Sequence, residues 1–232
     1  MTSAMAKYPI FLELSGRRVV VVGGGLVALR KAEALVEAGA RLVVVARQTC
    51  SALDRLCAES PVELVRANYS KDYLGRASLV IAATNDPDVN QRVYDDCQQL
   101  EILCNVVDQP QLCDFFVPAV VRRGDLQIAI GTGGFCPAYA SHLRKKLERI
   151  VTPEHGEFLG GLETLRKRLA QDVTEPASRK VLLGQLVSDA SFQVFVEKGP
   201  AAWRRYAGRL IKQQAESPAE DAAGPPNPEA VE

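Results

Sequence analysis

The chain has 232 residues, 47% of them hydrophobic and 6% aromatic, which is material for one medium domain and a smaller companion. Its formal net charge is zero, yet every lysine and arginine lies at or before Lys212 while five acids follow it. The body therefore carries a small positive excess that suits an anionic small molecule and is too weak and scattered for nucleic acid. The longest apolar runs have strand length, short of a membrane span. The opening MTSAMAKYPIF has no apolar core of the signal-peptide kind, and the six cysteines (Cys50, Cys57, Cys97, Cys104, Cys113, Cys136) include no CxxC pair. Reduced thiols and a cytoplasmic location are expected.

In chain order, β-branched runs at 18–22, 42–46, 62–65, 79–83 and 102–107 read as strands. Their near-continuous hydrophobicity predicts burial on both faces, the mark of a parallel sheet covered by helices. Helical composition fills 26–38 and 87–100, with Gly39 as a helix stop. The alternation predicts an α/β, doubly wound sheet over 1–112. Apolar runs at 115–122 and 126–130, joined by Arg123-Gly124-Asp125, predict a hairpin. Pro137 opens a helix to about 150, and Thr152-Pro153 opens a helical region reaching 214. The division expected is thus 1–112, 113–150, 151–214 and an acidic, Pro/Ala-rich disordered tail at 215–232.

Gly23-Gly24-Gly25-Leu26-Val27-Ala28 follows the first strand and opens the first helix, matching G-x-G-x-x-A. Gly23 permits the tight turn, Gly25 lets backbone approach a pyrophosphate, and Ala28 permits close helix–strand packing. With strand, glycines, helix and second strand in order, a Rossmann dinucleotide site is the reading; an empty glycine-rich turn is the plain alternative. No Asp or Glu ends the second strand, where Arg47-Gln48 stands instead. Arg47 suits the 2′-phosphate of NADP, or stacks on the adenine of NAD with Gln48 serving the ribose, so the residues alone leave that choice open. Thr84, ending the fourth strand, is a candidate cofactor contact; the plain alternative is that Thr84 or Asn85 caps the next helix, and the two roles are compatible.

Asp108 stands just past the fifth strand's carboxyl end, facing the same crevice. It is either a base that takes a proton while hydride leaves an adjacent carbon, or a turn residue before Gln109-Pro110. Thr132, Gly133 and Gly134 offer a hydroxyl and amides to an anionic ligand, or simply punctuate strand and helix. The two histidines, His142 and His155, lack ligand spacing with a cysteine, so no preformed metal site is expected.

Three stretches are more specific. PIFLELSGRRVVVVGGGLVALRKAEALVEAGARLVVVA, LVIAATNDPDVNQRV and NVVDQPQLCDFFVPAVVRRGDLQIAIGTGGFCPAYASHLRKKLE resemble siroheme synthase, in its precorrin-2 dehydrogenase/sirohydrochlorin ferrochelatase module. The resemblance implies NAD-dependent oxidation of precorrin-2 to sirohydrochlorin, followed by Fe²⁺ insertion to give siroheme, in a homodimer joined through the 111–150 region. It carries the catalytic role to Asp108 and NAD contacts to Leu26, Val27, Arg47 and Gln48. It also accounts for the missing acid, since relatives without it use NAD. The chain departs from the family pattern at Gly131, where a hydroxyl residue is usual, at Cys136 in place of serine, and at Ser141, a commonly basic position. Alternatives are a dehydrogenase without chelatase activity and a non-catalytic NAD- or tetrapyrrole-binding carrier.

Overall fold

The computed structural model describes residues 7–216. These form two compact units: one runs to Pro118 and adds Gly131–Cys136, the other comprises Ala119–Ile130 and everything from Pro137.

The first unit is an α/β domain of the Rossmann kind. Five parallel strands, β1 (Arg18–Val22), β2 (Arg41–Val45), β3 (Glu63–Val65), β4 (Leu79–Ala82) and β5 (Leu103–Val106), lie in the order β3-β2-β1-β4-β5. Successive side chains of each strand point to opposite faces, and both faces are apolar. Val19, Val21, Leu42, Val44, Leu79 and Ile81 enter one core with α1 (Leu26–Glu37) and α2 (Ser51–Glu59). Val20, Val22, Val43, Val45, Val80 and Ala82 enter the other with Val93 and Cys97 of α3 (Pro87–Gln99). Strand order reverses between β1 and β4, the switch point where open sheets of this type hold ligands.

The expected strands differ from these by about one residue at an end, within ordinary fraying. The α2 helix was not singled out from the sequence. It is nine residues long and buries only Leu53, so its pattern is faint. Gly39 ends α1 as expected, at φ 72, its N–H bonded to the Val36 carbonyl at 2.9 Å. The cap of α3 is Asp86, neither Thr84 nor Asn85: Asp86 Oδ1 accepts from Asp88 N and Val89 N at 3.0 and 3.2 Å.

The second unit carries the hairpin β6 (Ala119–Arg123) and β7 (Leu126–Ile130), turning at Gly124 with φ 58, and four helices. They are α4 (Pro137–Ile150), α5 (Pro153–Asp172), α6 (Pro176–Leu186) and α7 (Asp189–Glu216), the last broken at Gly199-Pro200. β6 begins four residues later than expected, because the residues before it are tied to β5 and Pro118 lacks an amide N–H. Phe158, Phe195 and Trp203 meet edge to face in the helical core, and Trp203 Nε1 donates to Ser191 Oγ at 2.8 Å. Arg123 donates from Nε to the Val151 carbonyl at 2.8 Å and from Nη2 to the Glu148 carbonyl at 3.1 Å, satisfying the end of α4. All six cysteines are free. Among the described residues no helix is long and apolar enough to cross a membrane. The acidic tail lies, from residue 217, outside the described residues.

Candidate active site

The glycine turn is shaped by close backbone approach. Gly23, at φ 136, lies so near the Ala83 carbonyl that a Cβ would stand 2.3 Å from its oxygen. At Gly24 a Cβ would fall 1.9 Å from the Gln48 carbonyl oxygen, the tightest approach in the turn. The chain is drawn in by Gly23 N to the Val45 carbonyl at 2.9 Å and Cys50 N to the Gly24 carbonyl at 2.8 Å. Gly25 faces open space and is the N-cap of α1, with no side chain capping the helix. The first amides of α1 are left for water or an anion, as a pyrophosphate site requires.

These residues open onto a cleft of about 1080 Å³ along the carboxyl edge of the sheet. Gly23, Gly25, Leu26, Val27, Arg47, Gln48, Thr84 and Asp108, all singled out from the sequence, line it together. Arg47 and Gln48 are exposed at the end of β2. Thr132, Gly133 and Gly134 are not among the residues lining the cleft. They make a tight turn in the same unit, with φ 64 and 88 at the two glycines and Phe135 N donating to the Thr132 carbonyl at 3.0 Å. Thr132 Oγ1 accepts from Cys136 N at 3.4 Å.

Thr84 is committed within the protein. Its hydroxyl donates to Asn90 Oδ1 at 2.8 Å, with the Asp86 carbonyl a second acceptor at 3.0 Å, and accepts from Asp86 N at 3.1 Å. Buried Asn90 also donates from Nδ2 to the Thr84 carbonyl at 3.1 Å. Asn90 thus engages the hydroxyl, the N–H and the carbonyl of Thr84 and clamps the β4–α3 turn.

Asp108 sits exposed at φ 61, in the left-handed region that non-glycine residues seldom adopt. Such strain persists only where the surroundings impose it, and it collects at functional sites. Here the loop is pinned at its neck. Asn105 and Cys113 form a β-bridge, Asp114 N donates to the Cys104 carbonyl at 2.8 Å, and Asp114 Oδ2 accepts from Cys104 N at 2.8 Å. Asn105 Nδ2 donates to the Phe115 carbonyl at 2.8 Å and to Cys113 Sγ at 3.3 Å. The Cys113 thiol lies near the Val106 and Gln109 carbonyls at 3.2 and 3.3 Å, and burial pushes its pKa up. Lys31 on α1 also faces this corner. Burial and then neighbouring Arg30 lower its pKa, while Asp108 and Cys113 favour its charged form.

Sequence reasoning missed Asn105, Cys113, Asp114, Asn90 and Lys31. A polar residue inside the otherwise apolar fifth strand was the available signal for Asn105. Lys31 carried none, because a lysine on an amphipathic helix usually belongs to the solvated face.

Comparison with known proteins gives matches over most of the chain. An NAD(P)-binding family model covers residues 10–119, and the family of the sirohaem biosynthesis protein central segment covers 123–150. The siroheme synthase of Pseudomonas putida is 40% identical over 202 residues, spanning 87% of this chain and 41% of that protein. The siroheme synthase of Psychrobacter cryohalolentis is 40% identical over 154 residues, spanning 66% and 29%, and that of Nitrosospira multiformis is 34% identical over 231 residues, spanning 95% and 49%. The chain thus spans less than half the length of these relatives. The solved structure of SirC, a precorrin-2 dehydrogenase, shares the fold, with a TM-score of 0.74 and 24% identity over 89% of this chain and 100% of that one. The first unit is therefore an NAD(P)-binding domain, and with the segment that follows it the chain is similar to the N-terminal part of siroheme synthases over most of its own length.

Proposed function

We propose that this chain oxidises precorrin-2 to sirohydrochlorin with NAD held in the cleft and Asp108 as general base. One observation carries the reading: the uncapped turn at Gly25 and the strained Asp108 line a single cleft. A bound nicotinamide supplies the hydride acceptor. Asp108 takes the proton released from the carbon next to the one that loses hydride, so two hydrogens leave the macrocycle as one hydride and one proton. Gly25 and the first amides of α1 hold the pyrophosphate, and Leu26 and Val27 cover it. Arg47 stacks on the adenine, with Gln48 at the ribose, which makes NAD the cofactor. Thr132, Gly133 and Gly134 hold a carboxylate arm of the substrate.

A second activity of the same site is Fe²⁺ insertion. The macrocycle would supply four nitrogens to the metal, and Asp108 would receive the two pyrrole N–H protons one at a time, passing each to solvent before the next. The likeness to siroheme synthases supports this reading, and a homodimer joined through the hairpin and α4 is part of the same proposal.

The experiment is anaerobic incubation of purified protein with precorrin-2 and NAD. NADH and sirohydrochlorin are expected, and Fe²⁺ or Co²⁺ added next should enter the ring faster than without protein. Absence of NADH would overturn the dehydrogenase reading and favour a carrier. NADH without accelerated metal entry would leave a dehydrogenase alone. Sedimentation velocity tests the dimer.

A further inference from the structure

Lys31 has no part in the reaction as just described, yet its placement is unusual for a lysine. It lies four residues beyond Val27, on the same face of α1 as that cleft-lining side chain. Its neighbours Ala28, Leu29, Ala32 and Leu35 are buried against the sheet, and Lys31 itself is half-buried. The Asp108 loop leans on this same side. Val107 and Phe115, before and after it, pack on the core cluster that holds Ala28, Leu29, Ala32 and Leu35. The Lys31 ammonium thereby comes within electrostatic reach of both Asp108 and Cys113.

We propose that Lys31 is the positioning residue of Asp108, holding the carboxylate ionised and turned into the cleft once ligands have displaced its water. The inference rests on Asp108 being the base. In the open cleft Asp108 is exposed and water screens the pair. As cofactor and substrate exclude that water, the attraction strengthens about fourfold for an effective dielectric falling from about 80 to about 20. The substrate's own carboxylate arms act the other way, since nearby like charges drive a carboxylate toward its protonated form. A protonated Asp108 cannot accept a proton, and a cation fixed behind it favours the ionised form that can. Lys31 supplies that cation from the helix that carries the cofactor turn.

The other charged or titratable groups at this corner are Arg30 on α1, Lys7 ahead of β1, Cys113 and Asp114 on the loop's return, and Asp86 and Arg92 on the cleft wall. The test leaves all of them intact.

Full-length Lys31→Met, Lys31→Arg and Asp108→Asn are compared with the parent chain in the anaerobic precorrin-2/NAD assay. The acid limb of the kcat–pH profile, which reports groups in the loaded enzyme, moves up by about one pH unit in Lys31→Met and returns in Lys31→Arg. NAD affinity by calorimetry stays within about twofold of the parent, as expected for a residue that does not touch the pyrophosphate. A ¹³C-carboxyl titration of Asp108 in the NAD-bound protein moves in the same direction, independently of turnover. Should Lys31→Met fail to fold, Lys31→Gln takes its place in the same measurements. An unmoved acid limb at normal kcat overturns the proposal. So does a limb unmoved beside a large loss of NAD affinity, which would make Lys31 a cofactor ligand. Normal turnover in Asp108→Asn overturns the base assignment itself; an inactive Asp108→Asn with an unmoved Lys31→Met sinks only the role of Lys31.

Discussion

Asn105 bridges the neck of the Asp108 loop, its Nδ2 2.8 Å from the carbonyl oxygen of Phe115. The side chain is buried, so the bond has no water to replace it. Asn105→Ala leaves that carbonyl unpaired and costs about 1–3 kcal/mol of stability. Turnover should fall about tenfold or more while NAD affinity changes little, because a small misplacement of a catalytic group is costly and the glycine turn is untouched. Parallel calorimetry and NADH-release assays check this; equal losses in both would mean the whole cleft collapses.

Asp108 offers a test in which backbone and side chain separate. Asp108→Ala and Asp108→Gly both remove the carboxylate, and both should bind NAD yet release no NADH. Glycine accepts φ 61 freely, whereas alanine pays the left-handed penalty. Asp108→Gly should therefore melt higher than Asp108→Ala, by about 1 kcal/mol in stability. Normal turnover in either variant would refute the base assignment.

The two glycines of the cofactor turn should respond differently. Gly24→Ala drives a methyl into the Gln48 carbonyl and should destabilise the domain with or without ligand. Gly25→Asp meets open space, so folding should survive while NAD binding weakens strongly, because the new carboxylate opposes the pyrophosphate. Thermal melts beside calorimetric titrations distinguish the two; a stable Gly24→Ala that binds NAD normally would contradict the close approach.

Tyr69, on the cleft wall, donates to Asp96 Oδ2 at 2.9 Å, and burial together with that acceptor pushes its pKa well above the ordinary tyrosine range. A raised folded-state pKa means stability that is complete below the unfolded value of about 10 and lost as pH rises beyond it. Denaturant melts from pH 8 to about pH 11 should show a steeper alkaline decline for the parent than for Tyr69→Phe. Parallel curves would show that Tyr69 does not titrate differently on folding.

Strands β1 to β5 were legible because burial on both faces of a parallel sheet writes uninterrupted Val, Ile and Leu into the chain. The glycine turn was legible because backbone contact excludes side chains, although Gly24, with the tighter approach, drew no attention beside Gly23 and Gly25. Asp86 was overlooked as a cap since Thr84 and Asn85 are equally good cap residues, and only the observed helix start decides among them. The start of β6 was misjudged because Phe115–Val117 reads as strand, while Asp114 and Phe115 are held by β5 through side-chain bonds that no periodicity reveals. Lys31 and Asn105 gain meaning from neighbours far along the chain, and such pairings are tertiary by nature.

Because α1 begins at Gly25 with no side chain over its first amides, the empty domain folds with part of its hydrogen-bonding capacity handed to solvent. A dinucleotide phosphate would take up that capacity and would do so only in the native state. Occupancy is then linked to melting: about 2.7 kcal/mol of added stability at a ligand concentration one hundred times Kd. A thermal-shift screen of nucleotides with and without a 2′-phosphate would rank cofactors on this protein before any tetrapyrrole is in hand.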